Sequence, residues 1–95
     1  MTELEKYREQ IDLIDKKLID ILAGRFEYSA HIGNIKRDRG IQILQSDRWD
    51  DVMASRKEYA IKAGLSEQFT EDFLQLVHRE SIRIQNDIAR NGPEP

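Results

Sequence analysis

From Leu4 to Arg39 the apolar residues fall on two interleaved lines of seven-residue steps. Leu4, Ile11, Leu18 and Ile32 make one line; Tyr7, Ile14, Ile21, Tyr28 and Ile35 make the other. This a/d-like seam predicts one long helix packed along its length. Thr2, with Glu5 three residues on, fits a capping box at its start, and Gly40 is the first clear stop. Gly24 and Gly33 lie inside it, each costing up to ~1 kcal/mol relative to alanine. The seam stays in phase across both, so they read as points of close packing or a slight bend. One position breaks the pattern: the seam asks for an apolar residue at 25 and the chain has arginine. A buried guanidinium cannot shed its charge, so an anion must face it, either a carboxylate from another segment or a ligand.

After Gly40 the stretch GIQILQ reads as a loop with a short apolar run. Ser46 is the expected N-cap of a second helix running to about Ala63, with Asp47 and Asp50 in its first turn. Trp49, Val52, Met53, Tyr59, Ala60 and Ala63 form its apolar face, and Gly64 follows as a C′ glycine. Ser66 or Thr70 caps a third helix reaching about Arg90, whose core face is Phe69, Phe73, Leu76, Val77, Ile84 and Ile88. No sustained two-residue alternation occurs. The fold class is therefore all-α: three helices with a very long first helix in one domain, residues 1–91, and a disordered tail, 92–95.

Length then changes the picture. About 36 residues at 1.5 Å each make a rod of roughly 54 Å. A compact globule of this chain length is only about 32 Å across. The rod overshoots, and the remaining residues cannot cover its seam. An intertwined antiparallel homodimer is the simplest remedy.

Composition narrows the function. A net charge of −3 argues against a nucleic-acid binder acting through bulk charge. The chain has no cysteine, which excludes disulfides, thiolate zinc sites and cysteine-ligated clusters. No run approaches the ~20 apolar residues of a membrane span, and the polar start lacks a signal core. A cytoplasmic location is expected. Only His31 and His78 are available for imidazole chemistry. His31 has Glu27 one turn before it, which reads as a surface ion pair rather than a metal site. His78 reads as a partly buried packing residue. No phosphate loop is present, and no cofactor or metal is expected.

What remains is a set of polar residues on core-facing lines. Arg25, Ser29, Ile32 and Lys36 share one helical face at i, i+4, i+7 and i+11. Arg8 lies on the same helix ~25 Å away, within reach only of a partner's site in an antiparallel dimer. Ser81 and Gln85 are one turn apart on the third helix, and Arg48 opens the second. Taken singly each has an ordinary reading: Arg25 can pair with a glutamate, Lys36 can snorkel to solvent, and Ser81 and Gln85 can simply pack. Tyr7, Tyr28 and Trp49 read as core. Converging, three guanidiniums and one ammonium would make a pocket for a small dicarboxylate.

In order, YREQIDLIDKKLIDILAGR, HIGNIK, LQSDRW, GLSEQF and ESIRIQ resemble the all-helical, AroQ-type chorismate mutases over about Leu4 to Gln85. The resemblance implies an intertwined dimer of three-helix chains with two equivalent sites. It implies that Arg25 and the partner subunit's Arg8 bind the two substrate carboxylates of chorismate. Lys36 and Gln85 would be the catalytic pair on the ether oxygen, with Arg48, Ser81 and Gln45 completing the substrate-binding set. Gln45 and Trp49 stand where well-known members carry acidic residues near the ring hydroxyl, and His78 where an apolar pocket residue is common. The LQ-x-x-RW form resembles a branch often joined to a DAHP synthase, a possible partner or fusion. Two other functions stay open. One is a related enzyme, an isochorismate-pyruvate lyase or a 4-amino-4-deoxychorismate mutase. The other is a non-catalytic regulatory module for a DAHP synthase.

Overall fold

The computed structural model describes residues 2–91. They form α1 (Glu3–Arg39), α2 (Ser46–Lys62) and α3 (Glu67–Asn91), with no strand among the described residues. The expected disordered tail, 92–95, lies outside them. No described helix is long and apolar enough to cross a membrane.

Local chemistry sets each boundary. Thr2 is extended and its hydroxyl accepts the Glu5 N–H at 3.2 Å, while the Glu5 carboxylate accepts the Thr2 N–H at 3.3 Å. Two otherwise orphaned donors are thereby satisfied. At the other end of α1, Gly40 adopts φ 66°, a conformation that favours glycine, and the Ile41 N–H returns to the Lys36 carbonyl at 2.8 Å. The start of α2 differs from expectation. Ser46 is its first helical residue, and Gln45 holds the extended cap conformation, its carbonyl accepting the Trp49 N–H at 3.0 Å without any side-chain cap bond. Gly64 at φ 95° closes α2, with the Leu65 N–H on the Ala60 carbonyl at 2.9 Å. Of the two candidates for the α3 cap, Ser66 takes the role by accepting the Phe69 N–H at 3.2 Å. Thr70 lies within the helix, its hydroxyl donating to the Ser66 carbonyl.

α3 packs against both α1 and α2. Half-buried Lys57 on α2 bridges to Glu67 and Glu71 near the start of α3, and those hydrogen bonds raise its pKa. The molecule is a flat plank of 56 × 32 × 14 Å with a radius of gyration of 17.1 Å, against about 12 Å for a compact chain of this length. Its interior is thin. Val52, Ala60 and Val77 are the buried apolar residues, and Ser29, Thr70, Ser81 and Gln85 are buried beside them.

Several residues assigned to a core are therefore uncovered in the single chain. The α1 seam is exposed, including Leu4, Tyr7, Ile11, Ile14, Leu18, Ile21 and Tyr28, as are Tyr59 on α2, Ala63 just after it, and Phe69 and Leu76 on α3. A helical period identifies an apolar stripe without saying which neighbour covers it. The two α1 glycines also differ. Nothing lies within 4 Å of a side chain added at Gly24, whereas one at Gly33 would meet Gln85 Cγ at 3.1 Å, Gln85 Cα at 3.2 Å and Ile88 Cδ1 at 3.2 Å. Gly33 is thus where α1 and α3 approach closely. Gly33→Ala forces backbone apart as well as side chains, so urea unfolding should show a loss of about 1–3 kcal/mol, with the Gln85 amide displaced. Unchanged stability would show that the contact yields freely.

Candidate active site

The i, i+4, i+7, i+11 face of α1 carries Arg25, Ser29, Ile32 and Lys36 toward α3, whose own residues at 78, 81, 82 and 85 form the opposite wall. Ile43 and Gln45 from the loop and Arg48, Trp49 and Val52 from α2 close the third side, and Tyr28 completes the rim. The cavity holds about 460 Å³, within the usual range for small-molecule sites. Of the residues singled out in the sequence, Arg25, Lys36, Gln45, Arg48, Ser81 and Gln85 line it together. Arg8 does not; it lies toward the far end of α1, exposed.

A small hydrogen-bond ring holds Arg25. Its Nη1 donates to Ser81 Oγ at 3.2 Å, the Ser29 and Ser81 hydroxyls are 2.8 Å apart, and Ser29 Oγ donates to the Arg25 carbonyl at 3.3 Å. Because Ser29 spends its proton on that carbonyl, Ser81 is the donor between the two hydroxyls. The partner expected of Arg25 was a carboxylate or a ligand. Within the chain its side chain meets a neutral hydroxyl instead, and no ion pair forms on it among the described residues. Arg25 as a whole is exposed, with Nη1 resting on Ser81. Burial, then the charges of Arg56 and Arg48, lower its pKa, yet a guanidinium keeps its proton. Its remaining N–H donors are free for an anion.

Lys36 does not snorkel. Its ammonium donates to the Ile43 carbonyl at 2.6 Å and to Gln85 Oε1 at 2.9 Å, and burial lowers its pKa. An ammonium has only donors, so it must face the amide oxygen of Gln85. That choice leaves the Gln85 NH₂ as the free end. Since Gln85 is buried, the amide is held in one orientation.

By sequence alone Trp49 and His78 read as packing residues. They line the cavity from two helices, their rings stacked with centroids 3.9 Å apart. Burial, then the nearby Arg25 and Lys36 cations, lower the His78 pKa. No sequence spacing could reveal this pair, because only the α2–α3 packing brings the rings together. The other histidine differs from expectation: His31 makes an edge contact with Tyr28 at 6.1 Å, and no ion pair with Glu27 forms among the described residues. Among them there is also no group of three or more residues fit to hold a metal ion.

The chain belongs to the type II chorismate mutase family, whose sequence pattern matches residues 7–86. It is similar to a T-protein of Enterobacter agglomerans, 39% identical over 87 residues, covering 92% of this chain and 23% of that protein. A T-protein of Haemophilus influenzae is 34% identical over 89 residues, covering 94% of this chain and 24% of that protein. The chain thus spans about a quarter of the length of these relatives. A protein named 4-amino-4-deoxychorismate mutase, from Streptomyces venezuelae, is 26% identical over 84 residues, covering 88% of this chain and 82% of that protein.

Proposed function

We propose that the chain is a chorismate mutase, converting chorismate to prephenate by an intramolecular Claisen rearrangement. The observation that carries this reading is the cavity's chemistry in a chain of this family: Arg25, Lys36 and Arg48 supply positive charge, Ser81 and Gln85 are neutral, and among the described residues no carboxylate lines the wall. In the reaction a C–O ether bond breaks as a C–C bond forms within one molecule. No proton is transferred and no nucleophile, base or cofactor takes part. Two things lower the barrier: folding the enolpyruvyl side chain over the ring, and stabilising the charge that grows on the ether oxygen.

The free N–H donors of Arg25 bind one substrate carboxylate, with Arg48 supporting it. Lys36 and the Gln85 NH₂ donate to the ether oxygen. Gln45, at the mouth of α2, completes the binding set. The second carboxylate falls to Arg8 of another copy: an antiparallel dimer would cover the exposed α1 seam and bring Arg8 to the partner's cavity, a distance of ~25 Å along the helix that one subunit cannot span. Residues 1–91 then act as one mutase domain. A regulatory module for a DAHP synthase would need the same dimer but not an arginine, a lysine and a glutamine aimed into a cavity.

Incubation with chorismate followed by identification of the product tests the reading. Prephenate is the expected product, and pyruvate released from isochorismate in a parallel incubation would turn the assignment to an isochorismate-pyruvate lyase. The Streptomyces relative supports a second reading, as a mutase of 4-amino-4-deoxychorismate.

A further inference from the structure

The ring of a chorismate-type substrate carries a substituent as well as the two carboxylates and the ether. A hydroxyl there must find an acceptor in the cavity, and most acceptors are already engaged. Lys36 takes the Ile43 carbonyl and Gln85 Oε1, and Arg25 closes the Ser29–Ser81 ring. Tyr28, Gln45 and His78 remain. Tyr28 is 72% exposed and Gln45 is also exposed, so both side chains are loosely held.

His78 is different. It is half-buried, and Trp49 lies against its face with only 17° between the ring planes. Its ring nitrogens make no hydrogen bond among the described residues, yet no buried side-chain nitrogen or oxygen there lacks a partner. The nitrogens are therefore accessible, on a residue that lines the cavity. The imidazole has a fixed plane and an unspent edge, which is the preorganisation that selective recognition needs.

Building on the mutase reading, we propose that the Trp49–His78 stack is a specificity determinant: His78 hydrogen-bonds a hydroxyl on the substrate ring, and this wall turns away an ammonium at the same carbon. Burial and the cations Arg25 and Lys36 favour the neutral imidazole, which has both an acceptor and a donor nitrogen. An alkylamine is protonated near neutral pH. In this cavity it would meet Arg25, Lys36 and Arg48, with no carboxylate among the described lining residues to balance it. A hydroxyl carries no such penalty.

The test measures kcat/KM for chorismate and for 4-amino-4-deoxychorismate with wild type, His78→Gln, His78→Leu and His78→Glu. Wild type should favour chorismate by ~10-fold or more, the scale of one hydrogen bond in a desolvated site. Glutamine, a neutral hydrogen-bonding side chain, should keep that ratio, and leucine should shrink it. Glutamate places a counter-charge on the wall and should move the ratio toward the amino substrate by ~10-fold or more. A packing role alone would lower both substrates together and leave the ratio fixed. Equal use of both substrates by wild type, or a ratio unmoved by the leucine and glutamate changes, overturns the proposal while leaving the mutase reading intact. A wild type that converts neither substrate overturns both. Should His78→Glu fail to fold, the leucine and glutamine ratios decide.

Discussion

Gln85→Ala is expected to lower turnover about a hundredfold, a loss of ~3 kcal/mol, while changing the Michaelis constant far less. The reason is geometric. Lys36 occupies the oxygen of the Gln85 amide at 2.9 Å, so the NH₂ is the end left for the ether oxygen. Negative charge on that oxygen grows only as the C–O bond breaks, so a fixed donor gains strength along the reaction rather than in the bound substrate. Gln85→Glu separates the donor from mere shape. A glutamate there offers no donor when ionised, the form that the Lys36 ammonium beside it favours. Activity should be poor near neutral pH and recover relative to wild type as the pH falls and the carboxyl regains its proton. Steady-state kinetics across pH check both variants. A Gln85→Ala enzyme with wild-type turnover and only weakened binding would sink the assignment.

Arg25→Ala should cost kcat/KM about a hundredfold, since charge-assisted contacts to a substrate carboxylate are worth up to ~3 kcal/mol and Arg25 has no ion-pair partner among the described residues to share it with. Arg8→Ala should cost a similar amount, although Arg8 lies outside the cavity. The shared-site arrangement makes a sharper forecast. Mixing the two inactive variants should recover about a quarter of wild-type activity, because half of the dimers are mixed and each mixed dimer holds one intact site. Sedimentation at micromolar concentration should give about twice the 11.2 kDa chain mass. No recovery after verified subunit exchange would place both arginines in one subunit's site or make one of them structural, and a stable folded monomer would rule out the shared site.

What the sequence made legible was local. Thr2 with Glu5, Gly40, Gly64 and Ser66 announce helix ends through short-range hydrogen bonds and backbone conformation, and the three helices sit where those signals put them. The α2 start slipped by one residue because Ser46 is a good cap by type, yet its hydroxyl makes no cap bond. Facing was harder to read. The buried stripe of α3 runs through Thr70, Val77, Ser81 and Gln85, at steps of seven, four and four. Hydropathy passes over three of those four residues and selects Phe69 and Leu76, which the single chain leaves uncovered. The face shared by Arg25 and Lys36 could be read because both lie on one helix. The Trp49–His78 pair could not, since its two halves are 29 positions apart and meet only through packing.

The thin polar interior has a practical consequence. Ser29, Ser81 and Gln85 occupy places where a small helical protein usually keeps leucine or valine. Protein engineers raising a melting temperature turn first to such places, because greasy replacements of similar size tend to strengthen a fold. In this chain the same replacements would take away the groups that grip Arg25 and Lys36, producing a sturdier but idle molecule. Robustness has to be sought away from the cavity wall, beginning with the exposed helix positions that line none of it.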